Sequence, residues 1–173
     1  MAGSPLGIIC HGGAGRIKDP DAHAAGLDEA IRAGYQLLRQ SAEAEKAVLR
    51  AVQLLEDNPA FNCGTGSKLT SAGRAEMDAA IMTQDGRFGG VCCVAGVRNP
   101  ILVAERVMSE TDHLLLSGYG AASFGPSATA AAGASLSSEA LAVTTISLSA
   151  ISRAASRNWT SVVSPTATEI LSI

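Results

Sequence analysis

Two stretches near the N-terminus carry apolar residues at helical spacing. The apolar positions of the first stretch are Leu27, Ala30, Ile31 and Leu38. Those of the second stretch are Val48, Ala51, Val52 and Leu55. Apolar residues that recur at i, i+3, i+4 and i+7 indicate amphipathic helices, so we predict helices over about 22–40 and 43–56. The second helix should end at Asp57-Asn58-Pro59, because the residue before a proline avoids helical backbone angles.

Other stretches have the pattern of strands. Residues 7–10 form a short apolar run with β-branched side chains, which predicts a buried strand. Met77, Ala79 and Ile81 alternate with more polar positions, which predicts a strand with one polar face. Asp85-Gly86 predicts a hairpin turn. The further predicted strands cover residues 88–97 and 114–116.

A third helix is predicted to begin at Asn99-Pro100, with Asn99 as N-cap and Pro100 as the first helical residue. The resulting order is strand, helix pair, two antiparallel strands, helix and strand. This order favours a layered α/β fold in which helices cover an antiparallel central sheet. A doubly wound parallel fold is the alternative, although the helices do not alternate regularly with the strands.

The composition excludes several classes of function. The chain has 173 residues, of which 47% are hydrophobic and 17% charged, with a net charge of -3. This fits one globular domain or part of one. The slight acidic excess and only 3% aromatic residues count against nucleic-acid binding. No apolar run reaches the roughly 18 residues of a membrane span, and residues 1–10 do not resemble a signal peptide. We therefore expect a cytoplasmic protein without a membrane partner.

The four cysteines are expected to be reduced and mostly buried. The adjacent pair Cys92-Cys93 does not have zinc-finger spacing, and neither Cys10 nor Cys63 completes a CxxC motif.

The composition changes abruptly near Phe124-Gly125-Pro126, which divides the chain into a globular region, 1–124, and a tail, 125–173. The tail has no Lys or Asp, and Ser, Thr and Ala make up over half of it. Because it offers few bulky side chains for a core, we predict that it is poorly ordered. The triplet Asn158-Trp159-Thr160 matches an N-glycosylation site, but no secretory signal accompanies it.

Three places in the globular region could carry chemistry. The glycine-rich stretch 11–15 follows an apolar run, so its backbone N–H groups could converge on a ligand; a purely structural turn is the alternative. His11 alone is either a catalytic group or a hydrogen-bonded core histidine. The helix-to-loop transition at 55–67 leaves carbonyl groups that a hard cation could satisfy, unless this is an ordinary capped loop. Glu76 and Asp78 are either an acid–base pair or surface carboxylates that are solvated or salt-bridged.

The globular region resembles a known family in three ordered stretches. These are IICHGGAGRI at 8–17, LLEDNPAFNCGTGSKLTSAGRAEMDAAIM at 54–82, and NPILVAERVMSETDHLLLSGYGAASF at 99–124. They resemble the α-subunit of plant-type L-asparaginase/isoaspartyl aminopeptidase, an N-terminal-nucleophile hydrolase. The resemblance implies an αββα sandwich, of which this chain would hold the α-subunit half. It also implies a precursor that cuts itself before a threonine, which then serves as nucleophile with its own α-amine as base.

The resemblance also implies the substrates and the site residues. Family members hydrolyse the side-chain amide of L-asparagine and β-aspartyl dipeptides, and two αβ units usually pair. Asn62 would correspond to the α-subunit asparagine that reaches the active site. The loop His11, Gly12, Gly13, Ala14 and Gly15 would correspond to the glycine-rich loop that supports autocleavage. A structural sodium ion would be held by the main-chain carbonyls of Leu55, Glu56, Asn58, Phe61, Cys63 and Thr65, and the chemistry would require no cofactor.

The sequence departs from the family at the nucleophile. Its one Gly-Thr pair, Gly64-Thr65, lies inside the sodium-loop match, and Val143 precedes Thr144 and Thr145 where a glycine would be needed. Neither Thr144 nor Thr145 is assigned as nucleophile, so no catalytic residue is assigned. We expect a chain that is inactive alone, and a frameshifted, mis-spliced or truncated reading would explain the tail. The alternative is a non-catalytic α-like module that pairs with a β-like chain or a full-length relative.

Overall fold

The computed structural model describes residues 6–125. The predicted tail beyond Gly125, with Thr144, Thr145 and the glycosylation triplet, lies outside the described residues. The elements of the described part are helix α1 (Pro20–Ser41), helix α2 (Ala44–Asp57), a 3₁₀ turn (Gly64–Gly66), strand β1 (Met77–Met82), strand β2 (Phe88–Val94), helix α3 (Pro100–Glu110), strand β3 (Leu115–Ser117) and helix α4 (Gly118–Phe124).

The two predicted N-terminal helices are confirmed, with ends within about two residues of those expected. Asp19 is the N-cap of α1, and its Oδ1 accepts a hydrogen bond of 3.0 Å from the Ala22 N–H. The helices approach closely at Gly34, where a β-carbon would lie 2.8 Å from the Ala47 carbonyl oxygen. Glycine at this position therefore allows α1 to pack directly on α2.

The predicted strand over residues 7–10 is wrong, because this segment has no strand structure. Within residues 6–125, the one sheet consists of β1, β2 and β3, and none of these strands pairs with the segment. Its apolar character serves side-chain packing instead. Ile8 packs against both core clusters, whereas Ile9 remains 49% exposed.

The sheet has the order β1-β2-β3. β1 and β2 are antiparallel and joined by the predicted hairpin, in which the Gly86 N–H donates to the Thr83 carbonyl over 2.9 Å. β3, however, pairs with β2 in parallel, so the expected antiparallel sheet is corrected to a mixed one. The reason is α3, which carries the chain across the sheet between β2 and β3, as parallel neighbours require. β2 also ends at Val94, three residues earlier than predicted.

One face of the sheet forms the main core together with α2 and α3. α3 approaches β2 most closely at Gly89, where a β-carbon would lie 2.2 Å from the Ala104 carbonyl oxygen. The opposite face carries Met82 and Leu115, which are 47% and 54% exposed. The described residues thus show helices on one face of a single sheet, and the second sheet of the implied sandwich is not among them.

Helix α4, which the sequence analysis did not predict, is attached to α3 through Arg106. Arg106 as a whole is only 9% exposed, and its Nη1 donates to the Phe124 carbonyl over 2.9 Å. Its other donors form a two-pronged contact with Glu110 over 2.8 and 2.7 Å. Such a fork fixes the guanidinium in one orientation and thereby holds the end of α4.

Glu56, at the end of α2, is 1% exposed and connects α2 to the start of α3. Its Oε1 accepts a hydrogen bond of 3.1 Å from the Ile101 N–H, while Oε2 has no hydrogen-bond partner within the described residues. Asn99 occupies the predicted N-cap position, but its side chain makes no cap bond and instead donates to Asp57 over 3.2 Å. The cap of α3 is thus supplied by a carboxyl from another helix.

Burial raises the pKa of Glu56 to about 8, against the lowering effects of the Ile101 N–H and the Asn99 amide. An acid whose pKa is raised by folding stabilises the native state fully below its unfolded pKa, and this stability is lost as the pH rises toward the folded value. Glu56→Gln should therefore flatten the decline in the free energy of unfolding between about pH 5 and pH 8 by about 1–3 kcal/mol. Urea denaturation at several pH values measures this.

The matched control is Glu29→Gln, which changes an exposed carboxyl on α1 and should keep the wild-type pH dependence. Parallel profiles for wild type and Glu56→Gln would contradict the role assigned to the buried carboxyl.

Candidate functional site

The glycine-rich stretch 11–15 packs against the ring of Phe61. A β-carbon on Gly12 would lie 2.8 Å from Phe61 Cε1, so a larger residue would displace the ring. His23 of α1 completes the contact: its Nε2 lies 3.0 Å from the Gly12 carbonyl oxygen, and its ring centroid lies 4.3 Å from that of Phe61. The stretch is therefore attached both to α1 and to the loop after α2.

His11 lies at the surface and not in a core. Its Nδ1 accepts a hydrogen bond of 3.2 Å from the Gly13 N–H, two residues further along. The predicted hydrogen bond of the imidazole is thus present, but the prediction of a core position for His11 is wrong, because the residue is exposed. The bond holds the first turn of the glycine-rich stretch together.

A second glycine, which the sequence analysis did not single out, makes room for the same ring. A β-carbon on Gly26 would lie 2.6 Å from Phe61 Cε2 and 2.6 Å from Asn58 Nδ2. Phe61 is 2% exposed and belongs to a core cluster with Ala30, Ala51 and Leu55. Glycines on both sides therefore fix the ring, and through it the loop that carries Asn62.

Asn62 is exposed, and the loop itself sets the orientation of its amide. Oδ1 accepts a hydrogen bond of 2.8 Å from the Lys68 N–H. With the oxygen bound to the backbone, the NH₂ end of the amide is directed away from that contact. Asn62 directly follows the buried Phe61, so the backbone that carries the polar side chain is held in place.

The loop after α2 folds back onto the end of that helix at two glycines. Gly64 has φ +51°, and a β-carbon there would lie 2.1 Å from the Glu56 carbonyl oxygen. A β-carbon on Gly66 would lie 2.0 Å from the Phe61 carbonyl oxygen. Both carbonyls belong to the predicted cation ligands, and both are enclosed by glycine backbone.

Three other predicted ligands also accept backbone hydrogen bonds. The acceptors are the carbonyls of Leu55, Asn58 and Cys63, bonded to the N–H groups of Asn58, Phe61 and Gly66 over 3.3, 3.2 and 3.0 Å. Since a carbonyl oxygen has two lone pairs, these bonds leave a second position for a cation. A loop of neutral oxygen donors fits a hard monovalent ion, and the same bonds fit the alternative of a self-capped loop.

The cysteines divide into two pairs. Burial raises the pKa of Cys10 to about 11 and that of Cys63 to about 12, so both remain protonated thiols at neutral pH. Cys92 is half-buried and Cys93 is exposed, so the expectation of mostly buried thiols is wrong for Cys93.

Glu76 and Asp78 do not form an acid–base pair. Glu76 lies 3.2 Å from the Arg74 guanidinium at the surface, and Asp78 accepts a hydrogen bond of 2.8 Å from the Cys93 N–H. The alternative of a salt-bridged surface carboxylate is therefore correct for Glu76, whereas Asp78 is half-buried and bonded to the backbone of the neighbouring strand.

The buried Glu56 side chain is a further polar group of this region that was not predicted from the sequence. A signal was present, because Val48, Val52 and Glu56 follow one another at intervals of four residues and so share the buried face of α2. A carboxylate that continues an apolar stripe indicates a buried polar group with a specific partner.

Comparison with known proteins adds to this geometry. The family model described as Asparaginase matches residues 4–170. The chain belongs to the asparaginase family. The plant-type L-asparaginase of Pyrococcus horikoshii is 48% identical over 123 residues, which are 69% of this chain and 40% of that protein. That of Thermococcus kodakarensis is 50% identical over 123 residues, 68% of this chain and 39% of that protein.

An animal relative matches a similar share of the chain. The isoaspartyl peptidase/L-asparaginase of Homo sapiens is 43% identical over 124 residues, which are 70% of this chain and 40% of that protein. This asparaginase-family chain thus matches about two fifths of the length of these relatives. Among its described helices, none has the length and apolar character needed to cross a membrane.

Gly64→Ala should destabilise the asparaginase-family chain by more than about 3 kcal/mol, because the new β-carbon meets the Glu56 carbonyl and the φ angle is positive. Gly73→Ala is the matched control: Gly73 also has a positive φ, +74°, but nothing lies within 4 Å of a β-carbon there. Its cost should be about 1–2 kcal/mol. Equal losses in the free energy of unfolding by urea would show that the close approach at Gly64 contributes nothing.

Proposed function

We propose that this chain supplies the α-subunit-like part of an asparaginase/isoaspartyl peptidase. The proposed reaction of the complete enzyme is hydrolysis of the side-chain amide of L-asparagine and of β-aspartyl dipeptides. The observation that carries the proposal is the contact of Gly12 with Phe61, the residue next to Asn62. It joins the two segments to which the family resemblance assigns autoprocessing and active-site support.

The nucleophile of the proposed reaction is a threonine whose own α-amine accepts its proton. Thr65, in the one Gly-Thr pair of the sequence, lies in the 3₁₀ turn that packs on the end of α2. Cleavage before Thr65 would cut the loop that places Asn62. We therefore propose that the threonine comes from a β-like partner segment, and that these 173 residues have no turnover on their own.

The proposed role of Asn62 is to position a polar group of the substrate or of the nucleophile. Its amide is held by the Lys68 N–H, and its backbone is held by the buried Phe61. A side chain fixed in this way loses little entropy when it donates a hydrogen bond to a bound molecule. The glycine-rich stretch would support the same site from the other side of the ring.

A second candidate function is a non-catalytic module that pairs with a β-like chain or a full-length relative. The observation in its favour is the outer face of the sheet, where Met82 and Leu115 are 47% and 54% exposed. An apolar sheet face favours association with a second layer. Pairing is common to both proposals, and turnover distinguishes them.

The first test measures turnover. The purified chain should release no ammonia from L-asparagine and no aspartate from a β-aspartyl dipeptide above the rate without enzyme. Co-expressed with the threonine-bearing segment of a plant-type L-asparaginase, it should co-elute and restore turnover. Co-elution without turnover would support the non-catalytic module, whereas turnover by the chain alone would refute the need for a partner.

Within that restored complex, Asn62→Ala should lower kcat by about 10²-fold or more, because a positioning contact to the reacting groups is lost. Gln84→Ala, which removes an exposed amide in the hairpin turn, is the control and should leave kcat unchanged. An Asn62→Ala complex with the wild-type kcat would exclude Asn62 from the active site.

We also propose that the main-chain carbonyl groups of the loop after α2 hold a structural sodium ion. Supporting this are the carbonyl oxygens of Glu56 and Phe61, both enclosed by glycine backbone. Bound sodium would stabilise the native chain by mass action, so replacing Na⁺ by tetramethylammonium at constant ionic strength should lower Tm by about 2–4 °C. Calorimetry measures this shift, and a Tm that is independent of the cation would count against the ion.

A further inference from the structure

Strand β2 contains a bulge opposite Asp78. In the pairing of β1 with β2, Met77 is opposite Val94 and Ala79 is opposite Val91. Two residues of β2, Cys92 and Cys93, therefore face the single residue Asp78. Cys93 has φ 52°, in the left-handed region that non-glycine residues rarely adopt. This is the backbone signature of an extra residue inserted into one strand of an antiparallel pair.

The bulge places two neighbouring thiols on the same side of the sheet. In a regular strand, adjacent side chains point to opposite faces. Here Val91 and Val94 are both buried in the core, 1% and 0% exposed, so the two cysteines between them both lie on the outer side. Adjacent cysteines thus become neighbours in space, which strand alternation alone would prevent.

Asp78 completes the cluster from the opposite strand. Its Oδ1 accepts the Cys93 N–H over 2.8 Å, which ties the carboxylate to the bulge. One carboxylate oxygen of Asp78 and the sulfur atoms of Cys92 and Cys93 all lie within 4.8 Å of one another. This cluster, which we name the bulge site, is separate from the loop around Asn62.

The spacing fits a tetrahedral ion. With metal–sulfur bonds of about 2.3 Å and metal–oxygen bonds of about 2.1 Å, tetrahedral ligands lie about 3.5–3.8 Å apart. From separations of at most 4.8 Å, the ligand atoms therefore need to approach one another by about 1.3 Å at most, which side-chain rotation can supply. We propose that Asp78, Cys92 and Cys93 bind a thiophilic divalent cation of the zinc type, with the fourth position open to water or a further ligand.

The charge of the donor set supports the proposal. A divalent cation would balance the charge of the Asp78 carboxylate and of two thiolates formed when it replaces the thiol protons. The other two cysteines, Cys10 and Cys63, are half-buried against a different cluster that contains Leu55 and Phe61, and they are not among the ligand atoms of the bulge site.

The test is a titration of the full, reduced chain with Co²⁺, followed by displacement with Zn²⁺. We expect one equivalent to bind with a thiolate-to-cobalt charge-transfer band, and Zn²⁺ to remove that band. Cys93→Ser and Asp78→Asn should each weaken Zn²⁺ binding at least about 10-fold, in line with the losses seen when supporting groups of metal sites are removed. The double variant Cys92→Ser/Cys93→Ser should show no thiolate band.

Two controls separate loss of a ligand from loss of the fold. Asp78→Asn keeps an oxygen that accepts the Cys93 N–H, so the fold should persist, with the circular dichroism spectrum and Tm of the wild type. Cys10→Ser removes a thiol of the buried cluster and should bind Zn²⁺ as the wild type does.

Cadmium provides a readout that needs no variant. The ¹¹³Cd resonance of the wild-type chain should lie in the range of ions with two sulfur ligands. A resonance typical of oxygen and nitrogen ligands alone, a thiolate band that persists in the double variant, or a folded wild-type chain that binds no metal would each overturn the proposal.

Discussion

The buried contact between the Glu56 carboxyl and the first turn of α3 is the constraint on which the described part of the molecule depends. α3 covers the sheet, and α2 carries the loop with Asn62, so the residue that joins the two helices also sets where that loop lies relative to the sheet. The side chain of Glu56 accepts the Ile101 N–H, while its carbonyl lies against Gly64. One residue therefore connects the main core through its side chain and the candidate site through its main chain. Burying a carboxyl costs free energy unless it is hydrogen-bonded. The hydrogen bond that satisfies Glu56 also holds α2 and α3 in one arrangement.

Phe61 has the corresponding role on the other side of the loop. The sequence is poor in aromatic residues, at 3%, so one buried ring accounts for much of the local packing. Gly12 and Gly26 approach the ring from two sides, and either position with a larger residue would displace it. The glycine-rich stretch thus acts through the absence of side chains, which lets its backbone close on the ring.

The two faces of the sheet differ in what they present. The inner face is filled by aliphatic residues from α2 and α3, as a helix-covered sheet requires. The outer face combines small residues, a few exposed apolar side chains and the bulge at Cys93. A bulge redirects side chains without changing the rest of the strand. Here it brings Asp78 together with two adjacent residues, Cys92 and Cys93, which lie fourteen and fifteen positions further along the chain. The outer face is therefore where the proposals of pairing and of cation binding both fall.

Local structure and family membership follow from the order of the residues along the chain. The periodicity of α1 and α2, the Asp85-Gly86 hairpin and the start of α3 at Pro100 follow from short-range rules, because helix spacing, turn chemistry and proline geometry are local properties. The three ordered stretches at 8–17, 54–82 and 99–124 likewise needed no coordinates to indicate the family.

Contacts between distant groups, in contrast, became known from the folded chain. Residues 7–10 read as a strand but lack a neighbouring strand, and β3 pairs in parallel because of the crossover through α3. The partner of Glu56 is 45 residues away in sequence, at Ile101, and no pattern around either residue names the other. Cys92 and Cys93 share one side of the sheet because a single backbone angle departs from strand geometry. Pairing, burial and backbone strain depend on contacts between distant segments, so they arise when the chain packs and not from the order of its residues.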